Sequence, residues 1–243
     1  MIHVSHLRKS FGDIDAVRDV SFTAPNGCIT GILGENGAGK TTTLALICGL
    51  MPADGGSVHV GPESGNALER RRHIGALLDH KGLYERLTAR ENIEYFGRLQ
   101  GISPKVLELR VGDVLQQLGL ERIADRRVAG FSQGERMKVA LARAIVHAPA
   151  HVLLDEPTNG LDIPTVHGLR EVLRRMRDRG VCVIFSSHVL EEVEALCDNV
   201  VIVSHGRVVA SGDVPAICRQ TQCSRLEEAF LTLTGHLNME VVS

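Results

Sequence analysis

The chain has 243 residues, of which 44% are hydrophobic and 23% are charged, as is typical of one globular domain with a large core. Its 27 basic and 29 acidic residues leave a net charge of −2, so it is not expected to bind nucleic acid through bulk electrostatics. Aromatic residues make up only 3%, which argues against a base-stacking platform for single strands. No nucleic-acid partner is therefore predicted.

The cysteines and the apolar runs give no sign of a secreted or membrane-spanning chain. The six cysteines form no C-x-x-C pair, so neither a disulfide framework nor a metal site is predicted. No run of 18 uncharged apolar residues occurs, and the N-terminal segment lacks the apolar region of a signal peptide. We expect a cytoplasmic protein that reaches a membrane only through a partner.

The first part of the chain is predicted to be mainly β-structure. Residues 2–7 and 16–23 alternate apolar and polar side chains, as antiparallel, half-buried strands do. A buried strand over 27–34 leads into a glycine-rich loop, and the helix that follows ends near Gly49. Two further short strands are predicted in SVHVG and HIGALL.

The glycine-rich loop, GENGAGKT, matches the G-x-x-x-x-G-K-[ST] pattern of phosphate-binding loops. It follows a buried strand and opens a helix, so backbone N–H groups and the helix dipole can surround a phosphate. Lys40 is predicted to contact the β- and γ-phosphates, Thr41 to bind Mg²⁺ and Thr42 to reach the α-phosphate. The other predicted nucleotide-binding residues of the loop are Gly34, Glu35, Asn36, Gly37, Ala38 and Gly39.

From residue 88 to residue 148 the pattern is helical. Thr88 with Glu91, and Ser132 with Glu135, each have the spacing of a capping box at a helix start. A glycine two residues after Ser132 opens this second helix end, which is therefore also suited to an anion. Between them, a helix that begins at the Ser-Pro of 103–104 carries an apolar stripe: Val106, Leu107, Val111, Val114, Leu115 and Leu118.

Strands and helices alternate after residue 150, which predicts a parallel α/β sheet. The strand HVLLD ends at Asp155, and Glu156 follows it directly. In phosphate-loop folds an Asp here holds Mg²⁺ and the next carboxylate polarises the attacking water. An acidic turn after a strand is equally common by itself, but beside a phosphate loop the catalytic interpretation is favoured.

The predicted domain contains a discontinuous core over 1–84 and 149–218 and a helical insert over 85–148. A C-terminal helix is predicted within 219–243. Its segment 224–234 begins with a capping box and carries an apolar stripe that would dock on the core: Leu226, Ala229, Phe230 and Leu233.

The stretches GENGAGKTT, FSQGE, LLDEPTNGLD and SSH occur in this order, and the chain resembles the ATP-binding subunit of ABC transporters over essentially its whole length. The resemblance implies an α/β fold: a P-loop NTPase (RecA-like) core with an N-terminal antiparallel β subdomain and an inserted α-helical subdomain. It also implies an ATPase that binds ATP and Mg²⁺ and works on the cytoplasmic face of the membrane with a separate permease subunit.

In that family two subunits pack head to tail around ATP. The resemblance implies that Ser132 and Gly134, with Gln133 and Glu135 beside them, bind the ATP held by the phosphate loop of a second copy. The loop from Asn159 to Asp162 would then cross the interface of a homodimer.

The remaining predicted site residues also come from the resemblance. Phe11 would stack on adenine, and His188 would contact the γ-phosphate and hold both the attacking water and Glu156. The predicted catalytic residues are Glu156, His188 and Lys40. A lone His before a helix is ordinarily a cap or a surface residue, but its position among the other motifs favours the catalytic role.

Two positions depart from the family pattern. Gln133 stands where the signature usually has a glycine, and its side chain would either hinder close approach or donate an amide to phosphate or ribose; we expect it to be tolerated. Asp79 stands where a Gln normally contacts Mg²⁺ and senses the membrane subunit. A carboxylate can also bind Mg²⁺, so Asp79 is predicted as a metal ligand that couples the nucleotide state to segment 80–100.

Several stretches, among them KGLYERLTARENIEYFGRLQG, look like bacterial exporter subunits of the sodium-efflux (Nat-type) and drug-efflux branch. The main alternative is a soluble, non-transport ABC ATPase that acts as an assembly or repair factor. A P-loop kinase or GTPase is a third possibility, but the N-K-x-D motif of GTPases is missing.

Overall fold

The structure is a computed structural model that describes residues 1–61, 67–78 and 82–235. Its strands are β1 (Ile2–Phe11), β2 (Ile14–Ala24), β3 (Ile29–Leu33), β4 (Gly55–Val60), β5 (Ile74–Leu77), β6 (His151–Asp155), β7 (Cys182–Ser187), β8 (Asn199–Ser204) and β9 (Arg207–Gly212). Its α-helices are α1 (Lys40–Ile47), α2 (Ala67–Arg72), α3 (Ala89–Leu99), α4 (Pro104–Gln117), α5 (Gln133–Ile145), α6 (Ile163–Asp178), α7 (Leu190–Leu196), α8 (Val214–Thr221) and α9 (Leu226–Thr234).

The strands form one mixed sheet in the order β4-β1-β2-β9-β8-β3-β7-β6-β5. β1 pairs antiparallel with both β2 and β4, which gives the predicted N-terminal antiparallel region. Strands β8, β3, β7, β6 and β5 are mutually parallel, and β9 returns antiparallel to β8. The α/β fold predicted from the sequence is confirmed.

The central strands are buried on both faces, which explains their nearly continuous apolar sequences. In β3, Ile29 and Leu33 pack into one hydrophobic cluster, whereas Ile32 packs into another. The first cluster includes the apolar faces of α3, α4 and α5, so the helical segment shares its core with the sheet. Leu226 and Ala229 of α9 are also fully buried there, as the apolar stripe predicts.

Several local predictions are wrong in detail. Val106 is 42% exposed, so the apolar stripe of α4 begins at Leu107. Two helices were not predicted: α2, and α8, which spans residue 218 at the end of the predicted core segment. The predicted capping box of α9 is replaced by another contact, because both the N–H and the hydroxyl of Ser224 donate to Glu228.

The strand order places the candidate site. The C-terminal ends of β3, β7 and β6 are neighbours, with Leu33 opposite Ser187 and Ser186 opposite Asp155. Loops that leave the same edge of a parallel sheet meet there, and ligands of open α/β sheets bind outside this edge.

Among the described residues, no helix is long and apolar enough to span a membrane.

Candidate functional site

The phosphate loop bends back from β3 into α1 and encloses the Lys40 ammonium. Gly39 ends the loop at φ 101°, and a Cβ there would lie 2.4 Å from the Ala16 carbonyl oxygen, so only glycine fits. Lys40 is only 5% exposed, and its Nζ donates to the carbonyl oxygens of Gly34 at 2.7 Å and Glu35 at 3.1 Å. The loop thus holds a buried positive charge at the start of a helix, as a phosphate site requires.

Asp155 is held by two hydroxyl groups at the end of β6. Its Oδ2 accepts from Thr41 Oγ1 at 2.6 Å, and its Oδ1 accepts from Ser186 Oγ at 2.5 Å. Asp155 as a residue is only 9% exposed. Thr41 and Asp155 therefore bring hydroxyl and carboxylate oxygens together, and oxygen donors of this kind suit Mg²⁺.

Glu156 takes the left-handed backbone conformation, with φ 46°. Its N–H donates to Ser186 Oγ at 3.0 Å. The carboxylate lies between two cationic or donor groups: Oε1 is 3.2 Å from Lys40 Nζ, and Oε2 is 2.7 Å from His188 Nδ1. The three residues predicted as catalytic thus form one connected cluster, in which Glu156 stands in the middle.

The helix end at Ser132 has the predicted capping box. Ser132 Oγ accepts from Glu135 N at 3.2 Å, and Glu135 Oε2 accepts from Ser132 N at 2.8 Å. Gln133 Nε2 donates to the Asn159 carbonyl oxygen at 3.0 Å. The Gln133 amide is thus directed at a loop of its own chain. This bond explains the orientation of the side chain without a contact to phosphate or ribose.

The loop after β6 fixes the surroundings of this helix end. Asp162 is the N-cap of α6 and accepts from Thr165 N at 3.0 Å; the bonds from Thr165 hold the pKa of the Asp162 carboxyl below its usual value. A Cβ on Gly134 would meet Thr165 Oγ1 at 3.0 Å. The chain between Asn159 and Thr165 is therefore packed against the start of α5.

The predicted site residues fall into separate groups. In the described part of the chain, no hydrogen bond or ion pair joins Ser132 or Gln133 to the cluster of Lys40, Glu156 and His188. Phe11 ends β1 with 48% of its surface exposed, and its ring centroid lies 5.6 Å from Lys9 Nζ. Asp79 lies outside the described residues.

Sequence reasoning missed four polar residues beside the catalytic cluster. Ser186 bridges Asp155 and the Glu156 backbone, as described above, and Ser187, Thr158 and Glu192 form a second hydrogen-bond group. The two serines precede His188 in SSH and signal a polar strand end. No local pattern indicates Glu192, because its partners lie in other loops.

The sequence matches known proteins along most of its length. The family model described as ABC transporter matches residues 17–159. ABC transporter ATP-binding protein NatA of Bacillus subtilis (strain 168) is 39% identical over 96% of this chain and 97% of NatA. Nod factor export ATP-binding protein I of Rhizobium sp. (strain N33) is 37% identical over 94% and 76%, and linearmycin resistance ATP-binding protein LnrL of B. subtilis (strain 168) is 32% identical over 95% and 78%.

Solved structures of ATP-binding cassettes are similar to this chain over most of its length. The ATP binding subunit of an ABC transporter superposes with a TM-score of 0.88 at 31% identity, covering 96% of this chain and 99% of that one. A dimeric, post-hydrolysis ATP-binding cassette, MJ0796 bound to ADP and Pi, gives a TM-score of 0.78 at 25% identity, over 88% and 98%.

The chain belongs to the ATP-binding subunits of ABC transporters. It binds ATP and is an ATPase. Its relatives include proteins named for export and for resistance, and the alternative of a soluble, non-transport ABC ATPase finds no support among them.

Proposed function

We propose that this ATPase drives export of a small solute, such as sodium ions or a drug, through a separate permease subunit. The similarity to a Nod factor export protein and to a linearmycin resistance protein supports the direction of transport. The exporter-like stretch after residue 80 supports the same branch. The permease would select the solute, so the two solute classes are separated by a transport assay.

The single observation that carries the mechanism is the contact of Glu156 with both Lys40 and His188. Glu156 polarises the attacking water and accepts its proton, while His188 keeps the carboxylate in place. Lys40 neutralises charge that develops on the β- and γ-phosphates. Mg²⁺, when held by Thr41 and Asp155, would neutralise further phosphate charge; Asp79 is proposed as an additional ligand.

Each complete ATP site would combine two copies of the chain. Gln133 bonds to Asn159, and Gly134 packs beside Thr165 of its own chain, whereas Ser132 bonds to Glu135. Among the described residues, neither Ser132 nor Gly134 has a hydrogen bond to its own phosphate loop. They would instead contact the γ-phosphate held by the partner copy, while Phe11 stacks on the adenine of its own site. The dimeric form of the similar cassette supports this arrangement.

The chain would function as one ABC domain at the cytoplasmic face of the membrane. We propose that the core (1–84 and 149–218) holds ATP and that the helical part (85–148) transmits closure of the dimer to the permease. The C-terminal helix within 219–243 would dock on the core. Contact with the membrane would be made through the permease alone.

The solution mass of Glu156→Gln, measured by light scattering with and without ATP, tests the composite site. The amide keeps the size of the side chain but cannot accept the proton, so ATP remains bound and should hold two copies together. We expect a dimer only with ATP. Lys40→Ala in the same background is the control, because it removes the phosphate contact and should stay monomeric. A monomer at saturating ATP, with binding verified directly, would contradict the composite site.

Transport direction is tested in cells that carry either wild type or Glu156→Gln. If the protein drives export, cells with the inactive variant accumulate more labelled sodium or more fluorescent drug than wild-type cells. Lower accumulation in the variant would instead indicate import.

A further inference from the structure

Glu192, in the first turn of α7, joins two loops that leave different strands. Its Oε2 accepts a hydrogen bond from Thr158 Oγ1 at 2.7 Å and another from Ser187 Oγ at 2.8 Å. Thr158 follows β6 and Ser187 ends β7. A single carboxylate oxygen therefore connects segments that lie about thirty residues apart in sequence, and ionised acceptors make stronger bonds than neutral ones.

Ser187 fixes the backbone on both sides of His188. It is 1% exposed, and its hydroxyl donates to Glu192 while it accepts from Val189 N at 3.0 Å. Its carbonyl oxygen also accepts from the N–H of Gly34, at the start of the phosphate loop, at 3.4 Å. The position of His188 thus depends on a buried hydroxyl whose one proton is directed at Glu192.

Thr158 belongs to the tight turn that begins at Glu156. The N–H of Asn159 donates to the Glu156 carbonyl oxygen at 3.1 Å, and the N–H of Leu161 donates to the Thr158 carbonyl oxygen at 3.1 Å. When Glu192 holds the Thr158 hydroxyl, it holds the turn that presents Glu156. The 2.7 Å contact of Glu156 with His188 and the bonds of Glu192 therefore link the same pair of loops.

We propose that Glu192 is a positioning residue for ATP hydrolysis, which sets the distance between the loops that carry Glu156 and His188. The inference rests on the proposed roles of these two residues. Among the described residues, the Glu192 carboxylate forms hydrogen bonds with Thr158 and Ser187 and none with the phosphate loop. Its loss should therefore misplace the Glu156–His188 pair without weakening the binding of ATP.

Steady-state ATP hydrolysis by the full-length protein separates these effects. We expect Glu192→Ala to lower kcat about 10- to 100-fold and to change KM for ATP less than about threefold, because small misplacements of catalytic groups are costly. Glu192→Gln keeps an acceptor oxygen on a side chain of the same length, so this variant should retain kcat within about fivefold of wild type. Glu191→Ala is the matched control, since it removes an exposed acidic residue from the same helix turn.

A double-mutant cycle distinguishes positioning from a general loss of stability. Thr158→Val removes one hydroxyl donor and retains the shape of the side chain, so it should lower kcat by less than Glu192→Ala does. Added to Glu192→Ala, it should cost nothing further, because the two residues act through one contact. Additive losses, or a Glu192→Ala variant with wild-type kcat, would overturn the proposal.

Two further readouts keep the interpretation unambiguous. Thermal unfolding of each variant checks folding; if Glu192→Ala does not fold, Glu192→Gln and Thr158→Val carry the same test by themselves. Glu156→Gln tests the proposed function independently. If Glu156→Gln abolishes hydrolysis while Glu192→Ala does not alter it, the positioning role is wrong and the proposed catalytic role stands.

Discussion

Asp155 and Glu156 are adjacent carboxylates with different partners. Asp155 keeps the extended backbone of β6 and accepts from Thr41 and Ser186, whereas Glu156 turns to φ 46° and contacts Lys40 and His188. A positive φ is uncommon for a residue other than glycine and indicates strain that the surroundings compensate. Here it separates the proposed metal-binding carboxylate from the proposed catalytic one.

Gln133 and Gly160 form a second contact at the scale of single residues. Gly160 has φ 71°, and a Cβ there would lie 2.5 Å from Gln133 Nε2. We predict that Gly160→Ala destabilises the fold by about 1 kcal/mol through backbone strain, and by about a further 1 kcal/mol because the Gln133–Asn159 hydrogen bond is lost.

Urea unfolding of the wild type, Gly160→Ala, Gly180→Ala, Gln133→Ala and the Gln133→Ala/Gly160→Ala double variant measures the two contributions. Gly180→Ala is the control for strain alone, because Gly180 also has a positive φ but no atom within 4 Å of its would-be Cβ. In a Gln133→Ala background, Gly160→Ala should cost no more than Gly180→Ala. An unchanged cost of Gly160→Ala in both backgrounds would show that Gln133 does not pack on this loop.

At the scale of elements, α3 and α5 begin with the same device. Thr88 and Glu91 exchange backbone and side-chain bonds at the start of α3, and Ser132 and Glu135 do so at the start of α5. A capping box satisfies N–H groups that have no partner inside the helix. Local spacing in the sequence predicts both boxes. Nucleotide binding at the second box is implied only by the family resemblance.

Removing each N-cap separates stability from ligand binding. We predict that Thr88→Ala and Ser132→Ala each lower the free energy of unfolding by about 1 kcal/mol. Only Ser132→Ala should weaken ATP-dependent dimerisation of Glu156→Gln, measured by light scattering across ATP concentrations. Equal weakening by Thr88→Ala would mean that helix stability, rather than a phosphate contact, controls association.

At the scale of the whole molecule, burial of a histidine makes stability depend on pH. Burial lowers the pKa of His147, and the positive charges of Arg110 and His73 lower it further. In the unfolded chain the imidazole of His147 binds a proton near pH 6.5, whereas in the folded chain it does so only at lower pH. Between these values the unfolded state holds more protons, so stability falls as the pH falls.

The free energy of unfolding at pH 7.5 and 5.5 checks this expectation. We predict that His147→Leu loses less stability between these two values than the wild type, because it has no group to titrate at this position. His167→Gln, which changes an exposed histidine of α6, should keep the wild-type difference. A wild-type difference in His147→Leu would assign the acid sensitivity to other groups.

Features that depend on neighbours along the chain could be predicted from the amino-acid sequence alone. The phosphate loop before Lys40, the capping boxes of α3 and α5 and the alternation of strands and helices all follow from local spacing, since their hydrogen bonds and backbone angles are local. The carboxylates at 155–156 could be recognised because they end an apolar strand. Helices α2 and α8 were missed, because neither has a long apolar stripe to mark it.

Contacts between distant residues, by contrast, became known only from the folded structure. The order β3-β7-β6 brings the ends of three strands together, and so places Ser186 against Asp155 and Glu192 between Thr158 and Ser187. These contacts depend on how the apolar faces of the sheet and helices pack, which no local pattern specifies. For the same reason, the contact of Gln133 with Asn159 emerged only when α5 and the loop after β6 had been placed side by side.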